Sequence, residues 1–78
     1  MPRRYTAREV VRVLFYLGWR VSRQESSHIM LTKQGQAGVV VVPEHLRSTP
    51  LDPKTVSSIL RQARLTRHEF ETSASEVL

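Results

Sequence analysis

The chain has 78 residues, with 12 Lys and Arg against 7 Asp and Glu and no cysteine. That length allows one domain, residues 1–78, with a thin core, because a chain of this size buries only about 60% of its unfolded surface. Disulfide frameworks, thiolate chemistry and cysteine metal sites are excluded, and no apolar run reaches the roughly 18 residues of a membrane span.

The net charge of +5 and the isoelectric point near 10.8 hide an uneven distribution. All 12 bases, ten of them Arg, lie in residues 1–67, while Glu69, Glu71 and Glu76 stand alone in the last eleven residues. A basic body attracts polyanions or acidic proteins, and arginine suits bidentate contact with phosphate. The opening Met1-Pro2-Arg3-Arg4-Tyr5 carries no apolar stretch of a secretion signal, so a cytoplasmic protein is expected.

Thr6-Ala7-Arg8-Glu9 is a capping-box pattern. It opens a helix over 7–17, in which Val10, Val13, Leu14 and Leu17 recur at i, i+3, i+4 and i+7 and Arg8 and Arg12 fall on the polar side. Gly18 follows as its stop. Trp19 to Gln24 then alternates, with Trp19 and Val21 on one face and Arg20, Ser22 and Gln24 on the other. After a polar turn at Glu25-Ser26-Ser27, a second strand runs from His28 to Lys33. A turn over Gln34 to Gly38 leads to a third strand, Val39 to Val42, ended by Pro43.

Residues 44–51 read as an irregular connection containing His45 and Arg47. Asp52-Pro53 supplies an N-cap and first helical position for a helix running to about Arg64, striped by Val56, Ile59, Leu60 and Ala63. A second capping-box pattern, Thr66-Arg67-His68-Glu69, announces a short third helix packed through Phe70, with 71–78 expected to fray because Thr72 to Ser75 hold little apolar surface. The order is an α+β fold, α-β-β-β-α with a possible short C-terminal helix. A three-stranded antiparallel sheet carries two helices on one face, as in double-stranded RNA-binding domains, which read A-form RNA by shape and backbone.

Ile29 and Leu31 are the better core pair of the second strand, so the period of two sends His28 outward with Met30 and Thr32. Imidazole gives and takes protons near neutral pH, and RNA carries its own nucleophile, the 2′-OH. A base, a phosphate clamp and a bent strand suffice for cleavage. His28 is the candidate for proton transfer, Ser27 for orienting it, and Arg20, Arg23 and Lys33 for holding phosphate, with Arg8 and Arg12 as further RNA contacts. His28, His45 and His68 lack short-range ligand spacing, so neither metal nor cofactor is expected. Trp19, directly after the first helix and on one face with Val21, reads as core, and Ser27 has no triad partners. A non-catalytic RNA-binding module and a protein adaptor use the same basic surface and stay open as alternatives.

Gly18-Trp19, Arg23-Gln24, Ser27-His28, Val42-Pro43 followed by His45, and Thr55 to Ala63 (TVSSILRQA) together resemble the HicA-type toxins. The resemblance spans about residues 6–70. It implies a dsRBD-like fold, endoribonuclease activity on mRNA without a metal, an essential histidine at His28, and neutralisation by a HicB-type antitoxin that covers that histidine. Ser26, Lys54 and Arg64 stand where the family pattern has glycine. Ser26 precedes the Ser27-His28 pair, and Arg64 closes the second long helix, where a left-handed cap is expected to be lost.

Overall fold

A computed structural model describes residues 4–25, 27–43 and 49–78. The elements are α1 (Ala7–Tyr16), β1 (Arg20–Glu25), β2 (His28–Lys33), β3 (Gln36–Pro43), α2 (Pro53–Ala63) and α3 (Arg67–Val77). The strands form one antiparallel sheet in the order β1-β2-β3. The α+β architecture matches the sequence expectation, and a full third helix extends it.

Each helix begins where its capping chemistry dictates. Thr6 Oγ1 accepts from the Glu9 N–H at 3.1 Å, and Glu9 accepts from the Thr6 N–H at 3.0 Å. Asp52 caps α2 by accepting from the Lys54 N–H at 2.8 Å, with Pro53 at the first position. Thr66 and Glu69 repeat the capping box on α3. The Thr66 hydrogen bonds, first to its backbone and then to its side chain, hold the exposed Glu69 carboxyl below its ordinary value.

The end of α2 departs from expectation. Arg64 adopts the left-handed conformation (φ 59°, ψ 41°), and its N–H donates back to Arg61 and Leu60 carbonyls. The left-handed cap is therefore kept without glycine, at a cost of about 1–2 kcal/mol for a residue with a Cβ. It turns the chain sharply into α3.

Beyond α2 the chain also carries more helix than its composition suggests. The segment 71–78, expected to fray, continues α3 to Val77. Phe70, Ser73 and Ala74 are buried and Val77 packs on the core, which is an i, i+3, i+4, i+7 stripe built partly from small residues. Phe70 meets Tyr5 edge to face, with ring centroids 4.9 Å apart. Tyr5 also accepts from the Leu51 N–H at 2.7 Å, and Thr6 bridges to Pro50. The entrances to α1 and α2 are thereby tied together.

Ile29, Leu31, Val40 and Val42 point beneath the helices, and Trp19 is buried with them as core. The other face, carrying His28, Met30, Thr32 and Val41, stays open. Gln36 and Gln62 fasten β3 to α2: the Gln36 side chain donates to the Ala63 carbonyl at 3.1 Å, and the Val41 N–H donates to Gln62 at 2.9 Å. The Gln36 bond places the C-terminal end of α2 beside the start of β3.

Two irregularities alter the strand alternation read from the sequence. The β1–β2 register slips between Val21 and Arg23, leaving Ser22 as a bulged residue. Arg23 is thereby paired with Met30, on the open face, and Gln24 with Ile29, on the helix side. The second slip lies between Leu31 and Lys33. There β3 begins at Gln36, and Gly38 takes a positive φ of 93° within the strand, so only Gln34 and Gly35 form the turn.

Candidate functional site

The site grows from a tight hairpin. Glu25 and His28 are direct partners in the β1–β2 ladder, so only Ser26 and Ser27 connect them. His28 is exposed at the start of β2, with Pro43 of β3 on its other side. The pleat that buries Ile29 and Leu31 is what turns the imidazole to solvent.

Ser27, half-buried, holds the ring. Its Oγ lies 3.1 Å from His28 Nδ1. If Nδ1 carries the proton, it donates to the hydroxyl and Nε2 is a free base. In the imidazolium both nitrogens carry protons, so Nδ1–H still donates to the hydroxyl and Nε2–H is the acid. The hydroxyl accepts in both states without moving.

Arg23 is the cation beside this histidine. The Ser22 bulge brings it onto the open face, where its Nε lies 3.3 Å from Glu25 Oε1. Ser22 Oγ reaches across to donate to the Met30 carbonyl at 3.4 Å. Both members of the Arg23–Glu25 pair are more than half exposed, so the pair contributes at most about 1 kcal/mol to stability.

The remaining phosphate-holding candidates are not gathered here. Arg20 sits opposite Thr32, four residues along β2 from His28 and on the order of 13 Å away. Its Nη1 donates to the Phe15 and Trp19 carbonyls at 3.0 and 2.7 Å, with the guanidinium 6.0 Å from the Phe15 ring centroid. Arg20 thus braces the end of α1, adding a second donor to the Phe15 carbonyl, which already accepts from the Gly18 N–H at 3.0 Å. Lys33 lies at the far end of β2, five residues and roughly 16 Å from His28, on the helix side of the pleat. Its stem packs on Gly18, where an added Cβ would come within 3.2 Å of Lys33 Cε. Neither residue reaches a phosphate held at His28.

Arg8 and Arg12 are exposed on α1, one turn apart at about 6 Å, in the helix layer. No hydrogen bond or ion pair engages them among the described residues. Tyr16 continues the same line and is 56% exposed, an aromatic ring at the end of a cationic stripe. His68 is exposed in the first turn of α3, while Ser26, His45 and Arg47 lie outside the described residues. Among the described residues, no three His, Asp or Glu side chains are grouped as metal ligands, and no helix is long and apolar enough to cross a membrane.

Sequence reading missed Glu25, taking it for turn. The signal was available: in a two-residue hairpin the residues flanking the turn are directly opposed. The bulge that redirects Arg23 had no such mark, since serine occupies it and glycine does not.

A sheet backed on one side only, with arginines on both its open face and its helix layer, defines a small α+β domain with positive charge exposed in both layers. The chain matches the family model of the HicA toxin of bacterial toxin–antitoxin systems over residues 7–65, and it belongs to that family. Toxins of this family are generally RNases paired with an antitoxin. The matched stretch covers α1, the sheet and α2 and stops short of α3. No curated protein matches the chain.

Proposed function

We propose that this protein is an endoribonuclease toxin that cleaves mRNA in the cytoplasm by directing the RNA's own 2′-OH at the adjacent phosphodiester. The observation that carries this reading is the exposed His28 imidazole, held at Nδ1 by Ser27 with Nε2 free toward solvent. Arg23 beside it supplies positive charge for the phosphate as charge builds in the transition state. The nucleophile belongs to the substrate, so the protein's tasks are proton transfer and placement, and neither calls for a metal or cofactor.

A HicB-type antitoxin restrains the toxin by covering His28 and neighbouring arginines. An acidic partner complements this basic surface, and the family's toxins act in such pairs.

The test is purified protein with RNA in EDTA, followed by analysis of the product ends. Attack by the 2′-OH leaves a 2′,3′-cyclic phosphate, and a single 2′-deoxyribose at the cut position abolishes cleavage there. Cleavage of the deoxy-substituted bond, or none of unmodified RNA, refutes the reading. The alternative of a non-catalytic RNA-binding module draws on Ser26, which stands where the family pattern has glycine. It predicts salt-sensitive binding with no turnover.

A further inference from the structure

In-line displacement at phosphorus places the entering 2′-oxygen and the leaving 5′-oxygen on opposite sides of the atom. One imidazole cannot serve both oxygens at the same moment. We propose that Glu25 is the second catalytic residue: its carboxylate takes the 2′-OH proton while protonated His28 gives one to the leaving 5′-oxygen. The proposal rests on the ribonuclease reading above and adds a residue to it.

Four observations carry the assignment. The register makes Glu25 and His28 direct cross-strand partners, so their side chains rise from the same face with Cβ atoms about 5 Å apart. The two groups are not joined to each other. The carboxylate engages Arg23 through Oε1 at 3.3 Å, and no ion pair links it to His28, so neither group is occupied by the other. Arg23 spends only Nε on this pair, and its remaining N–H donors are available to the phosphate. Finally, Glu25 is the only carboxylate on the open face among the described residues. There β2 offers Met30 and Thr32, and β3 offers Val41 and Pro43.

The step balances. The O2′–P bond forms and the P–O5′ bond breaks, giving a 2′,3′-cyclic phosphate and a free 5′-OH. The 2′ proton resides on Glu25 and the His28 proton on the departing oxygen, with no oxidation or reduction. Exchange with water restores both side chains. Arg23 fixes the carboxylate through one nitrogen and neutralises the phosphate through others, so a single arginine couples the base to the substrate.

The experiment is single-turnover cleavage in EDTA of two RNAs, one natural and one with sulfur in place of the bridging 5′-oxygen at the cut. A thiolate leaves without a proton. The natural RNA should be cut about 10²-fold or more slowly by both Glu25→Gln and His28→Ala. On the sulfur substrate His28→Ala recovers and Glu25→Gln stays slow. Glu25→Gln melts at the wild-type temperature, since an exposed pair is changed. An active wild type with an equally active Glu25→Gln overturns the role of Glu25 and leaves the ribonuclease reading standing, and a slow His45→Ala in that case assigns the second proton to His45. Recovery of Glu25→Gln in place of His28→Ala overturns the assignment of base and acid. A wild type inactive on both substrates overturns the ribonuclease reading itself.

Discussion

Ser27 Oγ sits 3.1 Å from Nδ1 of His28, and that contact orients the ring while leaving its far nitrogen open to solvent. A neutral hydrogen bond of this kind is worth about 1 kcal/mol. Ser27→Ala should therefore lower kcat by roughly tenfold or less, with KM nearly unchanged, because the loss falls on proton transfer and not on binding. Steady-state cleavage of a short RNA reads both constants. A rise in KM at constant kcat would instead make Ser27 a binding residue.

Arg8 and Arg12 on α1 offer free guanidinium groups one turn apart. Each single-strand phosphate contact contributes about 0.7 to the slope of log affinity against log salt. Arg8→Ala with Arg12→Ala should flatten that slope by about 1.4 for a 2′-O-methyl RNA that resists cleavage, measured by fluorescence anisotropy. An unchanged slope would remove this face of α1 from the RNA contacts.

The left-handed Arg64 makes a stability prediction independent of function. Arg64→Gly should stabilise the fold by about 1 kcal/mol, the relief of the Cβ clash less the extra freedom of glycine in the unfolded chain. Urea unfolding measures it. A loss of stability would mean that the Arg64 side chain makes a contact worth more than the strain.

Glu69 gives a pH dependence with a definite sign. Its carboxyl is held below 4.5 by the Thr66 hydrogen bonds, so the folded state favours the ionised form. The resulting stabilisation is fully present above pH 4.5 and is lost as pH falls through the folded value. Glu69→Gln keeps a capping acceptor but cannot titrate. The stability difference between wild type and Glu69→Gln should be constant at neutral pH and shrink in acid, as read from urea midpoints at pH 7 and pH 3. A difference that grows in acid would contradict the capping geometry.

Much of this fold is legible before any coordinates, for reasons that also mark where legibility stops. The capping boxes at Thr6 and Thr66 and the Asp52-Pro53 pair locate helix starts, because the unpaired N–H groups of a first turn demand such residues. Period-two burial of Ile29 and Leu31 fixes the outward direction of His28. The length of α3 was hidden because Ser73 and Ala74 occupy core positions with little apolar bulk, suiting close packing of helices. The Ser22 bulge was hidden because nothing in a serine advertises a lost register. Its effect was the largest at the site: it moves Arg23 beside His28 and turns Gln24 to the helix side. Lys33 and Arg20 looked like neighbours of the histidine only while the strand was counted as a line of charges. Its direction and pleat place one against Gly18 and the other against the end of α1.

The most direct measurement is the single-turnover rate of RNA cleavage in EDTA by wild type and His28→Ala at equal fold stability. Wild type should cut, and the variant should be slower by about 10²–10⁴. Equal rates for the two proteins would contradict the account, since the imidazole on the open face of the sheet would then have no part in the reaction.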